Sequence, residues 1–199
     1  MAGPRGEYRK SAERRAQILQ AATSVFARTG YSASSVSEIA RVVGISQTGV
    51  LHHFAGGKPA LLQAVLEQRD ARAEDRLGGR RGREFLSGLV AISRAQADQR
   101  GLVQLYRLLA AEATDPAHPG HEYFSTRFRR IADAVTQAYR EVAAAGGLRP
   151  GVDPRTAALR TLAMTEGLEV LWLQGFEVDM GGDIADFLDA QLVEPLPRG

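Results

Sequence analysis

The apolar residues of this chain recur at spacings of three and four almost from end to end, and nowhere do they fall into the every-second-residue alternation of a half-buried strand. That pattern restricts the fold to helices packed on helices. Ile18, Leu19, Ala22, Val25 and Phe26 share one face of a helix predicted over 12–28, with Ser11 as its cap and Gly30 as its stop. Ser34-Ser35 then opens a short helix through Val36, Ile39, Ala40 and Val43. Glu38, three residues after Ser35, completes a capping box, and Gly44 ends the segment. Ser46 caps a third helix, 47–54, which gives way at Gly56-Gly57 to Lys58-Pro59, where proline suits the first turn of a fourth carrying Leu61, Leu62, Val65 and Leu66.

The stretch from Leu77 through Gly78, Gly79 and Gly82 to Arg83 reads as a basic hinge. Beyond it the same periodicity predicts helices at 84–99, 102–113, 121–145, 154–175 and 183–193, about nine in all. At 199 residues the chain is long enough to bury a real core. The predicted fold is all-α, with a first helical segment at 12–72, whose two short helices and the turn between them span 35–54, and a longer helical segment at 84–195.

Charge is distributed unevenly. The whole chain carries +2, yet its first 58 residues hold eight basic side chains against three acidic ones, a net of +5, which leaves −3 for the remainder. A basic head on a mildly acidic body suggests a nucleic-acid-facing module joined to something with a different task. The chain has no cysteine, which removes disulfides, a thiolate nucleophile, Cys-ligated zinc and iron–sulfur clusters together. No apolar run approaches the ~20 residues of a membrane helix. With no apolar region behind the charged start, the expected location is the cytoplasm, with no membrane partner.

The unit from Ser35 to Phe54 is the most specific feature. Ile39, Ala40, Val43, Ile45 and Val50 are spaced to bury one side of two crossed helices, with Gly44 at the turn. A recognition helix needs small or hydrogen-bonding side chains near its N-terminus, so that the backbone can approach base edges in the major groove. Gln47, Thr48 and Gly49 meet that need, with Val50 following. Gln can pair bidentately with adenine, and Thr can bond a base or touch a thymine methyl. The helix starts at Ser34, Ser35 and Lys58 offer amides and charge to phosphates. An ordinary helical hairpin within a bundle is the competing explanation of the same pattern.

Ile18-Leu19-Gln20-Ala21-Ala22, Phe26, Gly30-Tyr31, Val36, Ile39-Ala40, Val43-Gly44-Ile45-Ser46, His52-His53-Phe54, Lys58 and Leu61-Leu62 follow a known order and nearly its spacing. Over about residues 12–72 the chain resembles the N-terminal domain of TetR-type transcriptional regulators. The resemblance implies an all-helical homodimer whose first three helices bind an operator. Its fourth helix would lead to a domain sensing a small-molecule effector, and its last two would pair with a partner's. The run from Gly147 to Pro154 is similar to many members, more loosely. The chain departs from the family pattern at three places: Thr48-Gly49 stands where Gly-Thr is common, Leu51 where a phosphate-binding Tyr is common, and Pro59 where an acidic residue is common. Phosphate anchoring is therefore expected from His52 or His53, from Ser34 and Ser35, and from Lys58.

Phe85, Leu89, Tyr106, Phe124, Phe128, Met164, Leu168 and Trp172 are spaced as core residues, and the resemblance implies that some of them line the effector cavity. Leu168, Leu171, Phe187 and Leu188 are the expected dimer contacts. No metal and no cofactor is expected. His52 and His53 are adjacent, and neighbours on a helix point about 100° apart. His118 and His121 lie in a Pro/Gly-interrupted loop, and Gly56-Gly57-Lys58 lacks the earlier glycine and following Ser/Thr of a phosphate loop. Glu166 and Glu169, one turn apart, read as pocket or interface polarity rather than as an acid–base pair. No nucleophile elbow or zinc-protease signature occurs, so an enzyme is not expected. What the resemblance implies is a ligand-released repressor on a palindromic operator. The alternative is a helical carrier or enzyme on the same fold that does not bind DNA.

Overall fold

The computed structural model describes residues 4–197, with side chains over that range except at residues 4–8 and 72. Arg5 and Glu7, counted in the charge above, are therefore outside the described side chains. Among the described residues the regular structure is nine α-helices: α1 (Pro4–Ala33), α2 (Val36–Val43), α3 (Gln47–His53), α4 (Gly57–Leu77), α5 (Gly82–Gln96), α6 (Arg100–Glu112), α7 (His121–Ala144), α8 (Pro154–Leu173) and α9 (Met180–Asp189). The architecture is all-helical, as the periodicity requires.

The clearest differences from the sequence expectation fall on the first and last helices. The first helix starts at Pro4 rather than residue 12, with proline at a first-turn position where its missing N–H costs nothing. Gly30 interrupts the helical backbone as expected, and a further turn to Ala33 resumes beyond this kink. Its φ of 76° and ψ of 169° suit glycine, and an added Cβ would lie 3.3 Å from Leu108 Cδ2. The last helix starts at Met180 rather than 183, because the Asp179 carboxylate caps it by accepting from the Gly182 N–H. Gly182 is part of this cap and not a break.

The chain divides into two compact units, one of Met1–Ala71 with Gln104–Gly120, the other of Arg72–Val103 with His121–Gly199. Gln104–Gly120, which the sequence places within 84–195, thus packs with the first unit. In that unit α1 packs on α2 and α2 on α3. Ile18, Ala22, Val25, Phe26, Ile39 and Val50 are buried there. In the second unit α5 packs on α7 and α9, and α8 on α7 and α9, around Leu86, Val135, Tyr139, Val142, Ala158, Ile184 and Leu188.

A polar thread crosses the second core. Thr161 donates its hydroxyl to Ala157 O, so the bond to Tyr139 runs from the phenol to Thr161 Oγ1 at 2.9 Å, while Gln191 Nε2 donates to the phenol at 3.0 Å. Burial raises the Tyr139 pKa, which keeps the phenol a donor across the working pH range. Tyr139→Phe removes one bond each from Thr161 and Gln191, which keep those to Ala157 O and Phe187 O, and is expected to cost about 1–2 kcal/mol. A urea denaturation series compares it with the parent chain.

Candidate nucleic-acid interface

Capping sets the two short helices. Ser35 Oγ accepts from the Glu38 N–H at 3.1 Å, and Ser46 Oγ accepts from the Gly49 N–H at 3.0 Å. Between them Gly44 takes φ 75°, and its N–H reaches back to Ala40 O and Arg41 O, closing the turn that crosses α3 over α2. Ile39, Ala40, Val50 and Phe54 are buried beneath. On the other side Gln47, Thr48 and His52 are exposed, with Gly49 and His53 half-buried.

Gln47 Oε1 accepts from the Ser37 hydroxyl at 2.7 Å, which orients the carboxamide across the α2–α3 crossing. An amide oxygen has a second lone pair, and the amide nitrogen keeps its donors, so the pairing with adenine stays chemically open to this side chain. Thr48 stands beside it, and Gly49 leaves the backbone uncovered at the next position. His52 and His53 stack edge to face at 5.5 Å between ring centroids, so they do not converge as a ligand pair would.

Three expected DNA contacts have other work in the fold. Val50 is fully buried, one hundred degrees or so around the helix from Gly49, and packs inward. Ser34 is also buried, and its hydroxyl is spent on Tyr31 O at 2.6 Å. Lys58 Nζ donates to Tyr31 O at 2.9 Å, Ser34 O at 3.0 Å and Ser32 O at 3.3 Å, and lies 4.4 Å from the Tyr31 ring centroid. An ammonium has three N–H donors, and all three are taken. Lys58 thus ties the end of α1 to the start of α4 instead of reaching outward.

The exposed positive charge of the first unit lies elsewhere, on Arg9, Lys10, Arg14, Arg15 and Arg41. Motif reading passed over these residues, although the +5 of the first 58 residues already pointed to them. Arg28, also exposed, is held by Glu38 at 2.6 Å, pinning α1 to α2.

The residues expected around an effector fall in both units. Phe85, Leu89, Met164 and Trp172 are half-buried against the second core, and Leu168 is within it. Phe124 is buried with its ring 6.3 Å from Phe128. Arg100 donates to Trp172 O and Leu173 O at 3.3 and 2.8 Å, capping α8 with its guanidinium 5.0 Å from the Trp172 ring. Tyr106 belongs to the first unit, is 1% exposed, and lies under the Arg69 guanidinium. Of the expected dimer contacts, Leu171 is 42% exposed and Phe187 half-buried, whereas Leu188 and Leu168 are buried in the chain's own core. Leu188 has no surface to offer a partner, and Leu168 keeps only 8%. The apolar side chains that α8 and its flank do expose are Leu159, Val170, Leu171 and Phe176, with Gly167 open between them.

Of the remaining candidates, His118 is tied into the first unit. His118 Nδ1 accepts from the Gly120 N–H at 3.0 Å, its Nε2 faces Glu112 at 3.6 Å, and its ring meets Tyr31 edge on. Glu169 is buried while Glu166 is half-buried. No described helix is long and apolar enough to cross a membrane.

The sequence profile of bacterial regulatory proteins of the tetR family matches residues 18–65, which span the second half of α1 through the start of α4. The HTH-type transcriptional regulator BetI 2 of Chromohalobacter salexigens is 27% identical over 182 residues, covering 87% of this chain and 82% of that protein. In fold, the chain is similar to a Saccharomonospora viridis transcriptional regulator solved in complex with choline. The TM-score is 0.76 at 22% identity, over 92% of this chain and 99% of that one. It is similar also to NalD of Pseudomonas aeruginosa, the secondary repressor of the MexAB-OprM multidrug efflux pump. There the TM-score is 0.71 at 23% identity, over 90% of this chain and 95% of that one.

Proposed function

The chain belongs to the tetR family of bacterial regulatory proteins, and from that premise we propose that it is a repressor that binds a palindromic operator as a homodimer and is released by a small-molecule effector. The observation that carries the proposal is the two-sidedness of α3: Val50 anchors it from below while Gln47 and Thr48 stand exposed at its start. Two such helices, one per protomer, would enter successive major grooves about 34–36 Å apart. Gln47 and Thr48 read bases in this scheme, and His52, His53 and the Ser35 helix start meet phosphates. Arg14, Arg15 and Arg41 supply the charge once assigned to Lys58. Leu159, Val170, Leu171 and Phe176 supply apolar surface for the partner protomer.

The effector would act by binding better to the arrangement that cannot span two half-sites, since a ligand shifts an equilibrium only through differential affinity. The segment Gln104–Gly120 gives that shift a route, because it packs with the reading head. There His118 meets Tyr31, whose carbonyl holds Lys58.

Selection of bound fragments from the source genome, followed by gel shift, tests the reading. A single preferred sequence with two-fold symmetry is expected. On that sequence Gln47→Ala should relax discrimination at one base pair per half-site by about 1–3 kcal/mol, leaving affinity for random DNA unchanged. Equal losses on every sequence would remove Gln47 from base reading.

A further inference from the structure

Arg69, on α4, lays its guanidinium face on the Tyr106 ring of α6, with Cζ 3.4 Å from the ring centroid. The Arg107 guanidinium lies 5.7 Å from the same centroid, so two like charges share one aromatic ring inside the first unit. Arg69 Nη1 is buried and has no hydrogen-bond acceptor, while the side chain as a whole is only partly covered.

A guanidinium stacked flat on a ring satisfies its face and leaves its N–H edge in the plane, the edge that matches a carboxylate or phosphate bidentately. A buried N–H on a permanent cation without an acceptor is costly for the fold, and such a cost persists where a ligand supplies the missing atom.

We propose that the Arg69 edge over Tyr106 is the seat of the effector's anionic group, so that the effector is an organic acid. The proposal rests on the ligand-released reading above, and its test separates the two.

The probes are benzoate and hexanoate, each against its amide, benzamide and hexanamide, at matched ionic strength in the millimolar range. The full chain is followed by thermal shift, and by gel shift on its selected operator. The parent protein should melt several degrees higher with each acid than with its amide. Arg69→Met, which keeps the apolar stem on Tyr106, should erase that difference while melting no lower than the parent. Arg155→Met, an exposed charge loss on α8, should preserve it. Equal shifts by acid and amide in the parent would overturn the proposal, as would an acid response that survives in Arg69→Met. An Arg69→Met protein that melts well below the parent would make Arg69 a structural clamp between α4 and α6. If acids stabilise through Arg69 yet leave the operator complex intact, the anion site stands and the release reading fails. If the amides release operator from the parent and from Arg69→Met alike, release stands and the anion site fails.

Discussion

Lys58→Met is expected to lose about 2–4 kcal/mol of folding stability, with no change in the salt dependence of whatever DNA binding survives. Methionine keeps the length of the stem and removes only the three N–H groups. Those groups serve the carbonyls of Tyr31, Ser32 and Ser34, at the end of a kinked helix whose own bonds have run out. The Tyr31 and Ser34 carbonyls are partly buried, so removing the ammonium leaves acceptors that water reaches poorly. Loss of this tie should also loosen the start of α2, so operator affinity falls through disorder of the reading head, not through a lost phosphate contact. Urea unfolding gives the first quantity, and the slope of log affinity against log salt gives the second. A slope smaller by about one, with stability unaltered, would return Lys58 to the role the family resemblance suggested.

Thr48→Glu should act in the opposite sense. Thr48 is exposed in the first turn of α3, where a carboxylate is favoured by the helix dipole, so the fold should hold and the melting temperature should stay level or rise slightly. DNA binding should not survive. A negative charge against base edges and phosphates costs several kcal/mol, which corresponds to an affinity loss of about 100-fold to 1,000-fold. Circular dichroism and gel shift on one preparation check both halves. An unfolded variant, or an unchanged affinity, would place the DNA face elsewhere than at the start of α3.

The helices, their caps and the helix-turn-helix were legible in the sequence because each rests on local chemistry. Ser35, Gly44 and Ser46 work on neighbours three or four residues away, and the periodicity of Ile39, Ala40 and Val50 marks a buried face without reference to anything distant. The misplaced residues depend on distant partners. Lys58 finds its acceptors 24 to 27 residues upstream, and nothing in a local window distinguishes a lysine that reaches out from one that reaches back. Leu188 and Leu171 look alike in sequence. Only the packing of α9 against α5 and α8 buries the first, while the second stays on the surface. Tyr106 shares its aromatic character with Phe124 and Phe128, yet it packs with the reading head and sits beneath an arginine from α4. Periodicity identifies an apolar face and leaves open which helix will cover it.

Hydroxyl-radical footprinting of the selected operator, repeated across a range of salt, puts the proposed reading at greatest risk. Two protected patches related by a dyad and centred about 34–36 Å apart are expected, occupied by two chains and fading steeply as salt rises. A single asymmetric patch, protection indifferent to salt, or no protected genomic fragment at all would contradict a dimeric operator-binding regulator that reads DNA through Gln47 and Thr48.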